Sequence, residues 1–460
     1  MVNQISSDGT LTHICIIIEL LFMANNDINM RMKRECILRL FVSGRWHDVA
    51  GVMLLSPPET GWQAHTYTGY AVEWAVDWAG RRDAHALGCQ FPVGIQPWKL
   101  EHWPVFLMDL LPQGYGRGEM LRHLGLPETA QASADWALLN AGAGNPIGNL
   151  RVKEAAEWLL ARPEASQGFT DDEVAERSDD FTDFLSMHGL FVAGSSGVQG
   201  EWPKILLTRG KDGLLYLDHT LPDADALEHY IVKFGRGANE DLASILRHEA
   251  PFMHIAGYLG LRVHQPLELR ERALFIPRFD REVTGSGVLR HGQESLAALM
   301  GLPGFGVAPP HGDVVARLAK FCADPALEVL EYLRRDVANL AFGNMDNHAR
   351  NTALQRFDDG RIRLTPLFDF APMYLHPDGI ARCMRWKDRE QGGVDWNAVL
   401  DEVASTTSLP RAGLADGMRA LLPLLHDVLN DGDGFRLEVA EHTFIAKAIL
   451  AQIQALERIR

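Results

Sequence analysis

Three carboxylates, an asparagine and two lysines carry the chemistry that can be read from this chain. The segment GNMDNHARN (343–351) places Asp346, His348 and Asn351 in one short polar stretch after an apolar helix. A carboxylate there can orient or deprotonate an attacking hydroxyl, and an amide oxygen close by can hold magnesium, which together serve phosphoryl transfer. Asn and Asp also favour helix-capping loops, and that preference alone would account for the composition. Asp369 lies in LTPLFDFAP (364–372) beside Leu367 and Phe368. A carboxylate in so apolar a stretch needs a partner or a metal ion, unless it simply caps a buried turn. Lys233 is flanked by Val232 and Phe234, and strand alternation sets it on the opposite face from both. It is either a paired buried cation or an edge-strand ammonium that reaches water. Glu249, further on, could be its partner and aim the ammonium at ATP phosphates. Gly194, Gly197 and Gly200 form a glycine-rich turn, followed by Lys204. Successive backbone N–H groups there could cradle a phosphate, although glycine-rich hairpin turns are common.

These groups need elements to hold them. Short strands are expected over 38–72, and a helix, a Pro-Gly break and a second helix over 106–127. Residues 151–162 and 171–188 read as charged helices. Over 189–234 the segments GLFVAG, PKILLT and HYIVKF read as strands, which puts the glycine turn between two of them and Lys233 in the third. Residues 240–260 have helical apolar spacing with Glu249 inside, and Pro251 is expected to interrupt the run. LELRERALFIPRFDRE reads as a strand hairpin, and the chain from about 285 onward as mostly helical. A strand-rich segment followed by a helical one suggests a two-lobed nucleotide-binding enzyme.

Composition is that of a globular protein. The 460 residues suffice for two or three domains, with 47% hydrophobic and 23% charged residues. A net charge of −16 disfavours non-specific binding to nucleic acid or an anionic membrane, because phosphate binding needs clustered cations. The 5 cysteines (Cys15, Cys36, Cys89, Cys322, Cys383) are dispersed, which signals neither zinc nor a disulfide scaffold and fits a reducing cytoplasm. The apolar run 14–24 is interrupted by Glu19, is too short to span a bilayer and lacks a preceding basic segment. No internal repeat is visible.

The order of these parts (glycine loop, strand lysine, helix glutamate, Asp-to-Asn loop, buried Asp) is that of protein-kinase-like enzymes. With IPRFDR (276–281), RHEAPFMHIAGYLGLRV (247–263), QESLAALMGLP (293–303) and LLPQGYGRGEML (110–121), the sequence resembles the HipA-like serine/threonine kinases, toxins of bacterial type II toxin–antitoxin systems. The resemblance covers roughly residues 38–450. It implies an α+β, two-lobed protein-kinase-like fold with a mixed α/β N-terminal lobe and a largely α-helical C-terminal lobe. It divides the chain into an unassigned extension (1–36), an N-terminal subdomain (37–150), an N-lobe with the glycine loop and ATP-phosphate lysine (151–284) and a helical C-lobe (285–460).

It further implies ATP and Mg2+, with Asp346 as the catalytic aspartate and Asn351 and Asp369 as magnesium ligands. Lys233, supported by Glu249, would contact ATP phosphates. His348 would stand where protein kinases carry a cation, Lys204 would match the family's loop lysine, and Pro277, Arg278 and Phe279 would form the hinge beside adenine, with Gly197 and Gly200 over the nucleotide. The loop is one residue longer than the family spacing, so Ser195 and Ser196 are both candidates for the family's inactivating autophosphorylation. Characterised members phosphorylate aminoacyl-tRNA synthetases and arrest growth. A small DNA-binding antitoxin is the expected partner, with no direct nucleic-acid or membrane binding by this chain. Two other functions compete: a non-catalytic kinase-fold co-repressor or scaffold, and a kinase of a lipid or small molecule. Retention of Lys233, Asp346, Asn351 and Asp369 argues against the first.

Overall fold

The computed structural model describes residues 34–161, 166–187, 203–235, 239–285, 287–390, 392–437 and 443–460. The apolar run 14–24, the segment GLFVAG and the glycine turn lie outside these residues.

The chain first builds an antiparallel sheet from β1 (Glu35–Val42), β2 (Arg45–Leu54), β3 (Thr66–Tyr70), β4 (Trp98–Leu100) and β5 (Leu150–Val152), ordered β4-β3-β2-β1-β5. In β1, Cys36, Leu38 and Leu40 alternate inward with more exposed neighbours, the period-two pattern of a sheet with one packed face. The connections carry α1 (Val72–Asp77), α2 (Val105–Met108), α3 (Gly114–His123) and α4 (Asp135–Gly142). The expected helix–break–helix over 106–127 is thus α2 and α3.

Then follow α5 (Lys153–Leu160), α6 (Asp171–Glu176) and α7 (Asp179–Met187). Thr170 starts α6 with a reciprocal capping box to Glu173. A second antiparallel sheet contains β6 (Lys204–Gly210), β7 (Leu215–Leu217), β8 (Ala226–Phe234), β9 (Glu268–Arg270) and β10 (Ala273–Pro277), ordered β7-β6-β8-β10-β9. Because β8 is the central strand, the edge-strand reading of Lys233 does not hold. Between β8 and β9 runs α8 (Glu240–Tyr258), capped by the Asn239 side chain on Leu242 N at 3.1 Å. Pro251 does not interrupt it. The proline removes one ladder bond, and the packing of Leu246, Phe252, Met253 and Ile255 into the core keeps the helix continuous.

β9 and β10 form the expected hairpin, but 281–284 belongs to the next one, β11 (Arg281–Thr284) with β12 (Gly287–Arg290). A small sheet, β13 (Gly292–Ser295), β14 (Ala353–Arg356) and β15 (Ile362–Leu364), frames the remaining helices. These are α9 (Leu296–Met300), α10 (His311–Phe321), α11 (Pro325–Ala341), α12 (Trp396–Thr407), α13 (Arg411–Arg419), α14 (Leu421–Asn430) and α15 (Phe444–Glu457). The mostly helical expectation therefore missed short strands whose residues (GQES, ALQR, IRL) are too polar and too few to show alternation.

Inside the helical region, Asp336 of α11 accepts two bonds from Arg382, at 2.8 and 2.9 Å, and one from Trp386 Nε1 at 2.8 Å. Burial pushes its carboxyl up, but Arg382, His311 and Trp386 outweigh that and hold it at about 2. A depressed carboxyl stabilises the fold above its unfolded value of about 3.9, and that contribution is lost as pH falls through the folded value. Urea unfolding of Asp336→Asn at pH 7 is expected to show a loss on the order of 3 kcal/mol, since buried Arg382 then loses one of its carboxylate partners and keeps Glu390. The variant should also show a flatter stability profile than wild type between about pH 4 and pH 2. An unchanged pH 7 midpoint would refute this role.

Candidate active site

The central strand brings two lysines to one face. Lys233 and Lys204 are direct cross-strand partners on β8 and β6, so their side chains emerge side by side. Both are buried, and like charges so placed would repel without carboxylates between them. Lys233 Nζ donates to Glu249 Oε2 of α8 at 2.6 Å and lies 3.4 Å from Asp369 Oδ1. Lys204 Nζ lies 3.7 Å from Asp369 Oδ2. Burial alone would lower the Lys233 ammonium, but Glu249 and Asp369 raise it above its ordinary value. For Lys204 burial wins, and its value is lowered. Burial pushes the Asp369 carboxyl up, yet Lys204 and Lys233 pull it down to about 2.

Asp369 has a left-handed backbone, φ 50°, which Asp tolerates better than most residues. Its neighbour Phe370 is fully buried against Phe252, with ring centroids 5.5 Å apart. Phe252 lies one turn beyond Glu249 on α8, so one helix positions both acidic groups around Lys233.

The segment 343–351 leaves α11 through Gly343, at φ 65°. Asn344 N bonds to Asn339 O at 3.0 Å. Asn351 Nδ2 donates to the backbone carbonyl of Asp346 at 2.7 Å, which leaves the amide oxygen as the atom available to a cation. The Asp346 side chain is 31% exposed, with His348 Nε2 at 3.7 Å from its Oδ1. Burial is the largest influence on His348 and lowers its value, although Asp346 and Asp369 oppose it. Of these basic groups, Lys233 is the one whose carboxylate partners outweigh burial.

A cavity joins these parts. Lys204, Glu249, Asn351 and Asp369 line it, together with Ile276, Pro277, Arg278 and Phe279. Asp346 and Asn351 line an adjoining smaller cavity. The Phe279 ring lies 6.0 Å from Phe368 and 6.3 Å from His264, which makes an aromatic wall. Arg278 contributes differently from what its charge suggests. Its guanidinium is held by Asp280 (2.8 and 3.0 Å) and Asp218 (3.0 Å), and its N–H bonds to His229 O at 2.8 Å. It stiffens the link after β10 and is not available to a phosphate. Gly197, Gly200, Ser195 and Ser196 lie outside the described residues.

Sequence reasoning assigned no role to Asn347, Arg350 or Asp109. Asn347 Nδ2 donates to Met384 O at 2.9 Å and its Oδ1 accepts from Cys383 N at 2.8 Å, which ties the loop to the Arg382 segment. Arg350 Nε donates to Asp109 Oδ1 at 3.2 Å. Asp109 sits in the apolar run VFLMDLL, the same signal that singled out Asp369.

Residues 196–421 match the family model of the HipA-like C-terminal domain. Over 334 residues the chain is 27% identical to Y4mE of Sinorhizobium fredii (strain NBRC 101917 / NGR234), a protein named as a kinase, covering 68% of this chain and 74% of that protein. It also superposes, at a TM-score of 0.61 and 18% identity, on a chain of the Shewanella oneidensis MR-1 toxin–antitoxin system complex of HipA, HipB and its operator DNA. That match covers 92% of this chain and 97% of the other, and it shows a common fold. The α+β, two-lobed kinase-like architecture expected from the sequence is the one found.

Proposed function

Since the chain is a HipA-like protein with a kinase-like fold, we propose that it is a serine/threonine protein kinase that transfers the ATP γ-phosphate to a protein hydroxyl. The observation that carries this reading is that Lys204, Glu249, Asp369 and Asn351 line one cavity beside Asp346, with Lys233 bonded to Glu249 and close to Asp369. Asp346, the most exposed of these carboxylates, orients the acceptor hydroxyl and takes its proton. Lys233 and Lys204 hold the nucleotide phosphates, with Glu249 keeping Lys233 in place and charged. The aromatic wall of Phe279 and Phe368 fits a nucleobase, and its apolar surroundings exclude water.

Magnesium fits the donor set. Asp369 offers a carboxylate and Asn351 an amide oxygen whose nitrogen is already bonded, both hard ligands suited to this ion. Among the described residues no three His, Cys, Asp or Glu side chains converge as a metal cage, so phosphate oxygens and water would complete the shell. When bound, the ion would neutralise charge on the transferring phosphate. Gly197 and Gly200 are proposed to cover the nucleotide, and Ser195 or Ser196 to be the autophosphorylated residue.

The Shewanella chain was solved with HipB and operator DNA, which supports a small DNA-binding antitoxin as the partner here. The charge of −16 fits DNA contact made by that partner rather than by this chain. Among the described residues no helix is long and apolar enough to cross a membrane. An aminoacyl-tRNA synthetase is the proposed target class, by the family resemblance.

The acceptor class is testable with labelled ATP. Purified protein, magnesium and γ-labelled ATP are incubated with bacterial lysate protein and, separately, with a set of small hydroxyl compounds. Phosphoserine or phosphothreonine in protein is the expected product. Label confined to a small molecule would replace this reading with a metabolite kinase.

A further inference from the structure

The N-terminal sheet body reaches into the active site. Asp109, just past α2, accepts three bonds: from Arg350 Nε at 3.2 Å, from Ser295 Oγ at 2.8 Å and from Ser295 N at 3.2 Å. Arg350 stands between Asp346 and Asn351 in sequence and is buried, with Nη1 donating to Gly304 O at 2.8 Å. Ser295 caps α9 through Ala298 N at 3.1 Å. The start of that helix bonds back to the catalytic loop, Leu296 N to Thr352 O at 3.0 Å and Ala297 N to Ala349 O at 3.2 Å. Asp109 thus holds two of the contacts that fix the segment carrying Asn351, Arg350 and the start of α9.

The same body is fixed to its neighbours at further points. Arg356 of β14, fully buried, donates to the carbonyls of Asp83 (2.9 Å) and Ala86 (2.6 Å), and Gly148 N donates to Asp280 Oδ2 at 2.7 Å. Phe106, Leu110, Ile147 and Leu150 extend the apolar wall of the nucleotide cavity. A carboxylate anchored on a body held this firmly can define where the loop sits, since the catalytic groups must be placed to a fraction of an ångström.

We propose that Asp109 is a positioning residue for phosphoryl transfer, acting through Arg350 and Ser295 to set the loop from Asp346 to Asn351. The N-terminal sheet body is then a working part of the active site. This rests on the kinase reading above.

The test compares full-length wild type, Asp109→Ala, Asp109→Asn, Arg350→Met and the Asp109→Ala/Arg350→Met double variant. For each, kcat, the KM for ATP and the thermal midpoint are measured. Asp109→Ala and Arg350→Met are each expected to lower kcat by about 10–100-fold, with KM for ATP nearly unchanged. Asp109→Asn keeps an oxygen acceptor for both partners and should retain kcat to within about fivefold of wild type. The double variant should be no slower than the slower single variant, because both remove one linkage. Full kcat in folded Asp109→Ala with only a lower thermal midpoint would overturn the inference, as would multiplied losses in the double variant. If Asp109→Ala does not fold, full kcat in Arg350→Met has the same force. A wild type without phosphoryl transfer would instead overturn the kinase reading, and the inference with it.

Discussion

Asp346→Ala lowers the rate of phosphoryl transfer by on the order of 10²–10⁴-fold, the usual contribution of a positioned general base, and leaves ATP affinity and stability close to wild type. The separation follows from how the loop is built. Asn351 is held by the backbone carbonyl of Asp346, which an alanine retains. The Asp346 side chain is partly exposed and its contact with His348 Nε2 is long, at 3.7 Å, so truncation removes little that the fold relies on. Lys233 and Asp369, which would meet the nucleotide, are held chiefly by Glu249 and by each other. Single-turnover transfer from labelled ATP and calorimetric ATP binding read the two quantities independently. Parallel loss of binding and transfer would mean that the loop supports the cavity rather than the chemistry.

Lys233→Met acts in the opposite manner, on the fold as well as on the reaction. It removes the ammonium 2.6 Å from Glu249, whose side chain is 1% exposed. A carboxylate left buried without its partner costs about 3–5 kcal/mol. Lys204 does not replace it. That ammonium is nearer Asp369, and burial already lowers its own value. Adding Glu249→Leu to Lys233→Met removes the stranded charge, so the double variant should regain most of the lost stability in urea unfolding. Phosphoryl transfer should remain lost in both, because the phosphate-facing ammonium is gone. Lys233→Met as stable as wild type would contradict the buried pair.

What was legible in the sequence was the local part. Asp346 and Asn351 lie within one loop, and Asp369 announced itself by its apolar neighbours. Lys233 with Glu249 was legible only through the order of elements, since nothing in a strand lysine distinguishes the centre of a sheet from its edge. Tertiary packing decided that. The continuity of α8 through Pro251 likewise depends on core contacts that outweigh one lost ladder bond. The lowering of His348 by burial and the occupied guanidinium of Arg278 were not legible. Each depends on burial and on partners remote in the chain, as with Asp218 beside Arg278. The bond from Asp109 to Arg350 joins parts of the chain too far apart for spacing to suggest it. Only the isolated carboxylate in VFLMDLL hinted that a partner was needed.

The central claim is that the Lys233, Asp346, Asn351 and Asp369 constellation transfers phosphate. Intact-mass analysis of wild type and Asp346→Ala, each incubated with ATP, magnesium and bacterial lysate protein, tests it most directly, with phosphopeptide mapping of the lysate alongside. The account predicts phosphate on the chain or on lysate serine or threonine with wild type, and neither with Asp346→Ala. Equal phosphorylation by the two proteins, or none by wild type on itself or on any lysate protein, would contradict it.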